Sequence, residues 1–321
     1  MTGILGGSGC AREFVFAGGI DAVKVKKSWV IAAATAVVLI VGVLVFVVVL
    51  RPVSEQRAAV RTPLASPSQG VTPTNTVAPY VQLSAAQIAA LPEAKYNANI
   101  PGLMPATATQ IAASESFAYT AATDVPIYGQ DRFTAVARFA AQNFMQLSSV
   151  IVPVKIDGPW ALVLTPARQQ LPSEAGGHAP AQTAGWVRLS SLVKDHPLPQ
   201  RVLISLSLQT LQILNADGSI AQQFPAGVGT ANTPTPTGVT GYIQARYTDP
   251  TQDEAVHPIQ LTSLHATEAD NPYAGNDGGL IGLHYDLAST GAVSHGCVRL
   301  AEPAITAVTT LPLGTLVTIE P

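Results

Sequence analysis

Ser294-His295-Gly296-Cys297-Val298-Arg299-Leu300 is the stretch on which the reading of this chain turns. It holds one of only two cysteines in 321 residues, set among a serine, a histidine and a glycine. An unpaired thiol in such surroundings is a candidate nucleophile. At an ordinary pKa of about 8.5 it is only a few per cent thiolate at neutral pH, so it needs an imidazole or a helix N-terminus beside it. Two histidines are candidates: His295, two residues before Cys297, and His284, thirteen before it. A side chain at i−2 reaches only in a special loop geometry. His284 instead ends the run Leu280-Ile281-Gly282-Leu283-His284 and can face Cys297 across a sheet, so it is the favoured base. Gly296 lets the backbone fold closely, and the amides of Gly296 and Cys297 are expected to point at a developing oxyanion.

Outward from this motif the pattern is β. From Arg201 onward apolar and polar residues alternate, as in Val202-Leu203-Ile204-Ser205 and Leu211-Gln212-Ile213-Leu214, with Asp217-Gly218 as a hairpin turn. Further strand signals begin at Gly241, Pro258, Leu280 and Leu316, and one helix fits between Glu302 and Leu311 with Pro303 in its first turn. Residues 201–321 therefore predict a mostly antiparallel, β-sandwich-like domain with one short helix after the cysteine motif. Upstream, residues 113–197 show short apolar stretches at Asp124, Val150, Pro159 and Gly185, broken by Gly, Pro and Asp. Their spacing, closing on Gly185-Trp186-Val187-Arg188-Leu189, resembles the small SH3-like barrels found beside bacterial cell-wall enzymes. Trp160 and Trp186 are either core aromatics of such a barrel or the lining of a ligand groove.

The N-terminal third has a different composition. Ser28–Leu50 contains no charged residue, and its length at about 1.5 Å per residue spans about 35 Å, enough for a bilayer core of about 30 Å. It reads as a transmembrane helix; a cleavable signal peptide would have a shorter apolar run and a small-residue cleavage site, whereas Leu50 leads straight to Arg51-Pro52. Lys24, Lys26 and Lys27 before the span favour a cytoplasmic tail over residues 1–27, with Cys10 a free thiol there, and a catalytic part on the outer face. Residues 51–80, rich in Pro, Ser and Thr, read as a tether, and 81–112 as a connecting segment holding a short capped helix over Ser84–Leu91. Overall the chain is 47% hydrophobic and 12% charged with a net charge of −3, which excludes intrinsic disorder and leaves no basic footprint for nucleic acid.

Ser294–Leu300, the upstream His284 on a Gly-Leu-His strand end, and Thr233-Pro234-Thr235-Pro236-Thr237-Gly238 together resemble the L,D-transpeptidase catalytic domain of the YkuD type. The resemblance covers about Arg201–Pro321. It departs from the family in two places: the gap between base and nucleophile is a few residues shorter, and Tyr285 stands where the residue after the base is commonly Gly. The resemblance implies that Cys297 attacks the third-residue carbonyl of a peptidoglycan tetrapeptide stem and releases D-alanine. The resulting thioester would pass to the side-chain amine of a second stem, a crosslink between third-position residues. His284 would be general base and acid, oriented by the backbone carbonyl of Tyr285, with His295 in support. Ser294 and Arg299 are placed at the substrate, Ser294 also reading as a loop hydrogen-bonder and Arg299 as either binding a carboxylate or holding the motif loop. No cofactor is implied, and the family makes carbapenem adducts on the cysteine an expectation.

His265 is read mainly as structural, with a lesser prospect of touching substrate. Asn271–Gly279, rich in Gly and Asn, is either a lid beside the site or an ordinary loop. Three rivals remain. His284, His295 and Cys297 are zinc-type ligands, but no His-x-x-Glu-His or Cys-x-x-Cys pairing accompanies them. An L,D-carboxypeptidase would hydrolyse the same acyl-enzyme, and a wall-binding protein would leave Cys297 incidental.

Overall fold

The computed structural model describes residues 80–111, 116–249, 256–270 and 279–321. The expected tail 1–27, the membrane span 28–50, all of the tether but Tyr80 and all of the Asn271–Gly279 loop but Gly279 lie outside the described residues. Among the described residues no helix is long and apolar enough to cross a membrane.

The first region is an antiparallel assembly of eight strands: β1 (Met104–Pro105), β2 (Phe117–Thr120), β3 (Val125–Tyr128), β4 (Ala135–Phe139), β5 (Pro153–Asp157), β6 (Trp160–Thr165), β7 (Thr183–Arg188) and β8 (Val193–Pro197). Five run in the order β4-β3-β7-β6-β5 with β1 added beside β7, and β2 pairs with β8. Trp160 and Trp186 are buried with Tyr128 in one small cluster, and the Arg132 guanidinium lies 3.7 Å over the Trp186 ring. They are core aromatics. The segment 81–112, expected only to connect, is built into this region. Its short helix α1 (Ala85–Ala89) starts in a capping box between Ser84 and Gln87, β1 pairs with β7, and Ala94, Ile100 and Leu103 share a core with Ile127 and Val187. Burial of those scattered apolar residues recruits the segment, which has no period of its own.

The second region is a ten-stranded sheet formed by β9 (Gln200–Ser205), β10 (Thr210–Asn215), β11 (Ile220–Pro225), β12 (Gly227–Gly229), β13 (Val239–Tyr247), β14 (Ile259–His265), β15 (Leu280–Tyr285), β16 (Gly291–Ser294), β17 (Val298–Leu300) and β18 (Leu316–Glu320). Their order is β11-β10-β9-β18-β13-β14-β15-β17-β12-β16. Most neighbours are antiparallel, but β9–β18, β15–β17 and β12–β16 run parallel. The sheet curls onto itself: Val202, Ile204, Leu211 and Ile213 from one half share a core with Ile281, Leu283, Val298 and Leu300 from the other. The helix α2 (Glu302–Thr309), with Pro303 in its first turn, adds Ala304, Ile305 and Val308 to that core. One continuous sheet thus supplies both layers of the sandwich-like arrangement.

Candidate active site

The parallel pairing of β15 with β17 builds the site. Leu283 stands opposite Val298 and His284 opposite Arg299, so Cys297, one residue before β17, is carried to the level of Gly282. The Gly282 amide donates to Cys297 Sγ at 3.4 Å. Cys297 is therefore followed by a three-residue strand, and α2 begins only at Glu302. Of the two groups that could activate the thiol, the helix N-terminus is displaced from it by β17, which leaves the imidazole as the group at hand.

His284 is held from both sides. Nδ1 lies 3.0 Å from the carbonyl oxygen of Tyr285, and the ring also hydrogen-bonds Cys297. A carbonyl only accepts, so Nδ1 carries a proton and donates it, and in the neutral ring Nε2 is left as the acceptor for the thiol. Burial, the largest single influence, pushes the imidazole pKa down. The hydrogen bond and charge of Cys297, the Tyr285 carbonyl and the Asp286 carboxylate together outweigh burial, and the pKa lies above its usual value.

The motif loop is tied internally. Gly296 has φ +118°, a conformation that favours glycine, and its amide donates to Ser294 Oγ at 3.1 Å. Ser294 Oγ in turn donates to the Cys297 carbonyl. One expectation changes here: the single proton of the Gly296 amide is committed to Ser294 and is not aimed at an oxyanion in this arrangement. Of the two readings of Ser294, the loop hydrogen-bonder is the one seen, since its buried hydroxyl is taken up within the loop and not turned to substrate. His295 is exposed on the same loop. Arg299 Nε approaches Asp286 Oδ2 to 3.2 Å as an ion pair without hydrogen-bond alignment, which places it among the groups holding β17 against β15.

Thr230–Gly238 clamps the motif loop from outside. Thr235 Oγ1 donates to the Gly296 carbonyl and accepts from the Gly229 amide, both at 2.8 Å, while the Ser294 carbonyl accepts from the Thr230 amide at 3.0 Å and Thr233 Oγ1 at 3.2 Å. Gly229 is required by close approach, since a Cβ there would lie 2.3 Å from the Thr233 carbonyl oxygen. Gly282 and Thr235 are the functional positions that residue chemistry alone did not single out; the glycine before Leu-His and the Thr-Pro repeat were their visible marks. His265 is buried, with Nε2 2.9 Å from the Pro166 carbonyl, and takes the structural role. Among the described residues no group of three or more His, Cys, Asp or Glu is placed to hold a metal ion.

Residues 199–319 match the family model YkuD, the L,D-transpeptidase catalytic domain. The match places the likeness to an L,D-transpeptidase catalytic domain on the ten-stranded sheet and its helix α2. Similar solved structures include an L,D-transpeptidase (Yku) from Stackebrandtia nassauensis, 19% identical over 38% of this chain and 56% of its own, TM-score 0.28. An L,D-transpeptidase from Mycobacterium smegmatis is 13% identical over 50% of this chain and 91% of its own, TM-score 0.31. One from Mycobacterium tuberculosis H37Rv is 14% identical over 50% and 90%, TM-score 0.32. The chain thus spans little more than half the length of the Stackebrandtia protein. No curated protein matches the chain.

Proposed function

We propose that the protein is a cysteine-dependent peptidoglycan L,D-transpeptidase. The observation that carries this is His284, held by the Tyr285 carbonyl on one nitrogen and hydrogen-bonded to Cys297 within the matched domain. In the proposed reaction the thiol proton passes to His284 Nε2 and the thiolate attacks the third-residue carbonyl of a tetrapeptide stem. The carbon–sulfur bond forms, the bond to D-alanine breaks, and the imidazolium returns its proton to the leaving amine. The side-chain amine of a second stem then attacks the thioester, losing a proton to His284 while the thiolate departs. The Cys297 amide remains the proposed loop donor to the oxyanion, and the Gly282 amide steadies the departing sulfur. Arg299, the strand partner of His284, acts through Asp286 to hold β17 against β15.

The anchor proposed over residues 28–50 would hold this chemistry on the outer face of the membrane, where stems are crosslinked. The test is incubation of the purified protein with a tetrapeptide-stem muropeptide, read by mass spectrometry. Loss of D-alanine with dimer formation is expected, and both vanish in Cys297→Ala. D-alanine loss without dimers assigns carboxypeptidase action to the same acyl-enzyme, and activity surviving in Cys297→Ala overturns the mechanism.

A further inference from the structure

On β15, Ile281, Leu283 and Tyr285 turn to the core, so Leu280, Gly282 and His284 share the opposite face. Cys297 Sγ lies over that second face: a Cβ on Gly282 would come within 3.9 Å of it. Leu280 sits there with Leu261 and Ala245, and the side chains packed against these three include Tyr96 and Met145. Neither belongs to residues 199–319; both come from the region before the catalytic domain. The Tyr96 ring meets Phe144 edge to face at 5.0 Å, and Phe144 is 41% exposed. A continuous apolar path therefore leads from the reaction face to solvent through side chains of the first region.

The turn that presents Phe144 is fixed. Asn143 Oδ1 accepts from the amides of Met145 at 2.9 Å and Leu147 at 3.2 Å, and the Asn143 amide donates to the Leu147 carbonyl at 2.7 Å. A rigid turn that leaves a phenyl ring exposed at the end of that apolar path is a preorganised contact surface, with little ordering entropy left to lose on binding.

We infer that Tyr96, Met145 and Phe144 form a wall for the aliphatic part of the stem peptide as its carbonyl is presented to Cys297. The alanyl methyls and the methylene chain of the diamino acid are the groups that would rest on it. The inference rests on the transpeptidase reading, and its test separates the two. Equilibrium binding of a tetrapeptide-stem muropeptide is measured on the full chain carrying Cys297→Ala, with and without Phe144→Ser. The dissociation constant is expected to rise about tenfold with Phe144→Ser and with Phe144→Gln, which keeps more of the bulk. Leu208→Ser, at an exposed leucine in the β9–β10 turn, should leave it unchanged, as should all three substitutions the rate of Cys297 alkylation by iodoacetamide in the unmodified-cysteine background. An unchanged dissociation constant in both Phe144 variants, an equal loss with Leu208→Ser, or no binding by the parent overturns the wall. Failure of the transpeptidase reading shows differently: binding still depends on Phe144, but the protein with Cys297 intact releases no D-alanine.

Discussion

His284 is the residue whose two nitrogens divide the work of the site. The Tyr285 carbonyl fixes the proton on Nδ1, which leaves the other nitrogen for the thiol. Because the sulfur and the neighbouring Asp286 raise the imidazole pKa against the opposing effect of burial, the imidazolium persists to higher pH beside the thiolate. By reciprocity the thiolate persists to lower pH beside the imidazolium. Alkylation of Cys297 should therefore extend to lower pH in the native protein than in His284→Asn, whose profile should move toward an ordinary thiol midpoint of about 8.5. At pH about 6.5 the variant should react at least about tenfold more slowly; coincident profiles would remove His284 from the activation of the thiol. Ser294 acts at the same scale by different means. Ser294→Ala strips the Gly296 amide of its acceptor in a buried loop, at a cost of about 1–3 kcal/mol, and should lower both the melting temperature and D-alanine release.

At the scale of elements, the site is the meeting of two parallel strands under a clamp. Thr235 joins Gly229 to Gly296, so Thr235→Val, which keeps the shape but removes the hydroxyl, leaves a buried amide and carbonyl unpaired. A loss of about 2 kcal/mol in chemical denaturation is expected, with slower Cys297 alkylation; unchanged alkylation would show that the clamp is not needed to set the nucleophile. Much of this element structure is legible in sequence. Alternation marks Leu280–His284, and Ser84 with Gln87 marks the start of α1. Asp217-Gly218 marks the β10–β11 hairpin, where Asp217 Oδ1 accepts from the Ser219 amide at 2.9 Å. Period two tells which residues share a face but not which strand lies alongside, so the parallel register that sets His284 opposite Arg299 could not be read. Nor could the fate of the Gly296 amide, which depends on a side chain two residues away choosing the loop over the substrate. The strand after Cys297 is only three residues long, too short for alternation to be distinguished from the approach to a helix.

At the scale of the whole described structure, the catalytic domain and the region before it are joined by buried polar bonds as well as by apolar packing. Tyr242 and Leu316 of the ten-stranded sheet share a core with Val152, Leu164 and Ala184 of the first region. Around this seam, Ser263 Oγ donates to Gln182 Oε1 at 2.6 Å, and the His265 amide donates to the Ala181 carbonyl at 2.9 Å. Arg168 is the strongest of these links. Its guanidinium, 2% exposed as a residue, donates to the carbonyls of Ala266 at 2.9 Å, Ala269 at 3.3 Å and Asp270 at 3.4 Å, all in the chain just after β14. Arg168→Met keeps much of the aliphatic bulk while removing every one of those donors, so the buried Ala266 carbonyl loses a charged partner worth about 1.5–3 kcal/mol. The loss falls on the seam rather than on either core. Calorimetry should therefore show the native described regions melting in one transition, and the variant melting at least about 5 °C lower, with the transition broadened or split as the two regions uncouple. A variant that melts as the native protein does would mean that the apolar seam alone couples the regions. Tyr96 and Met145 would then keep their packing against Leu261 and Leu280 without the arginine.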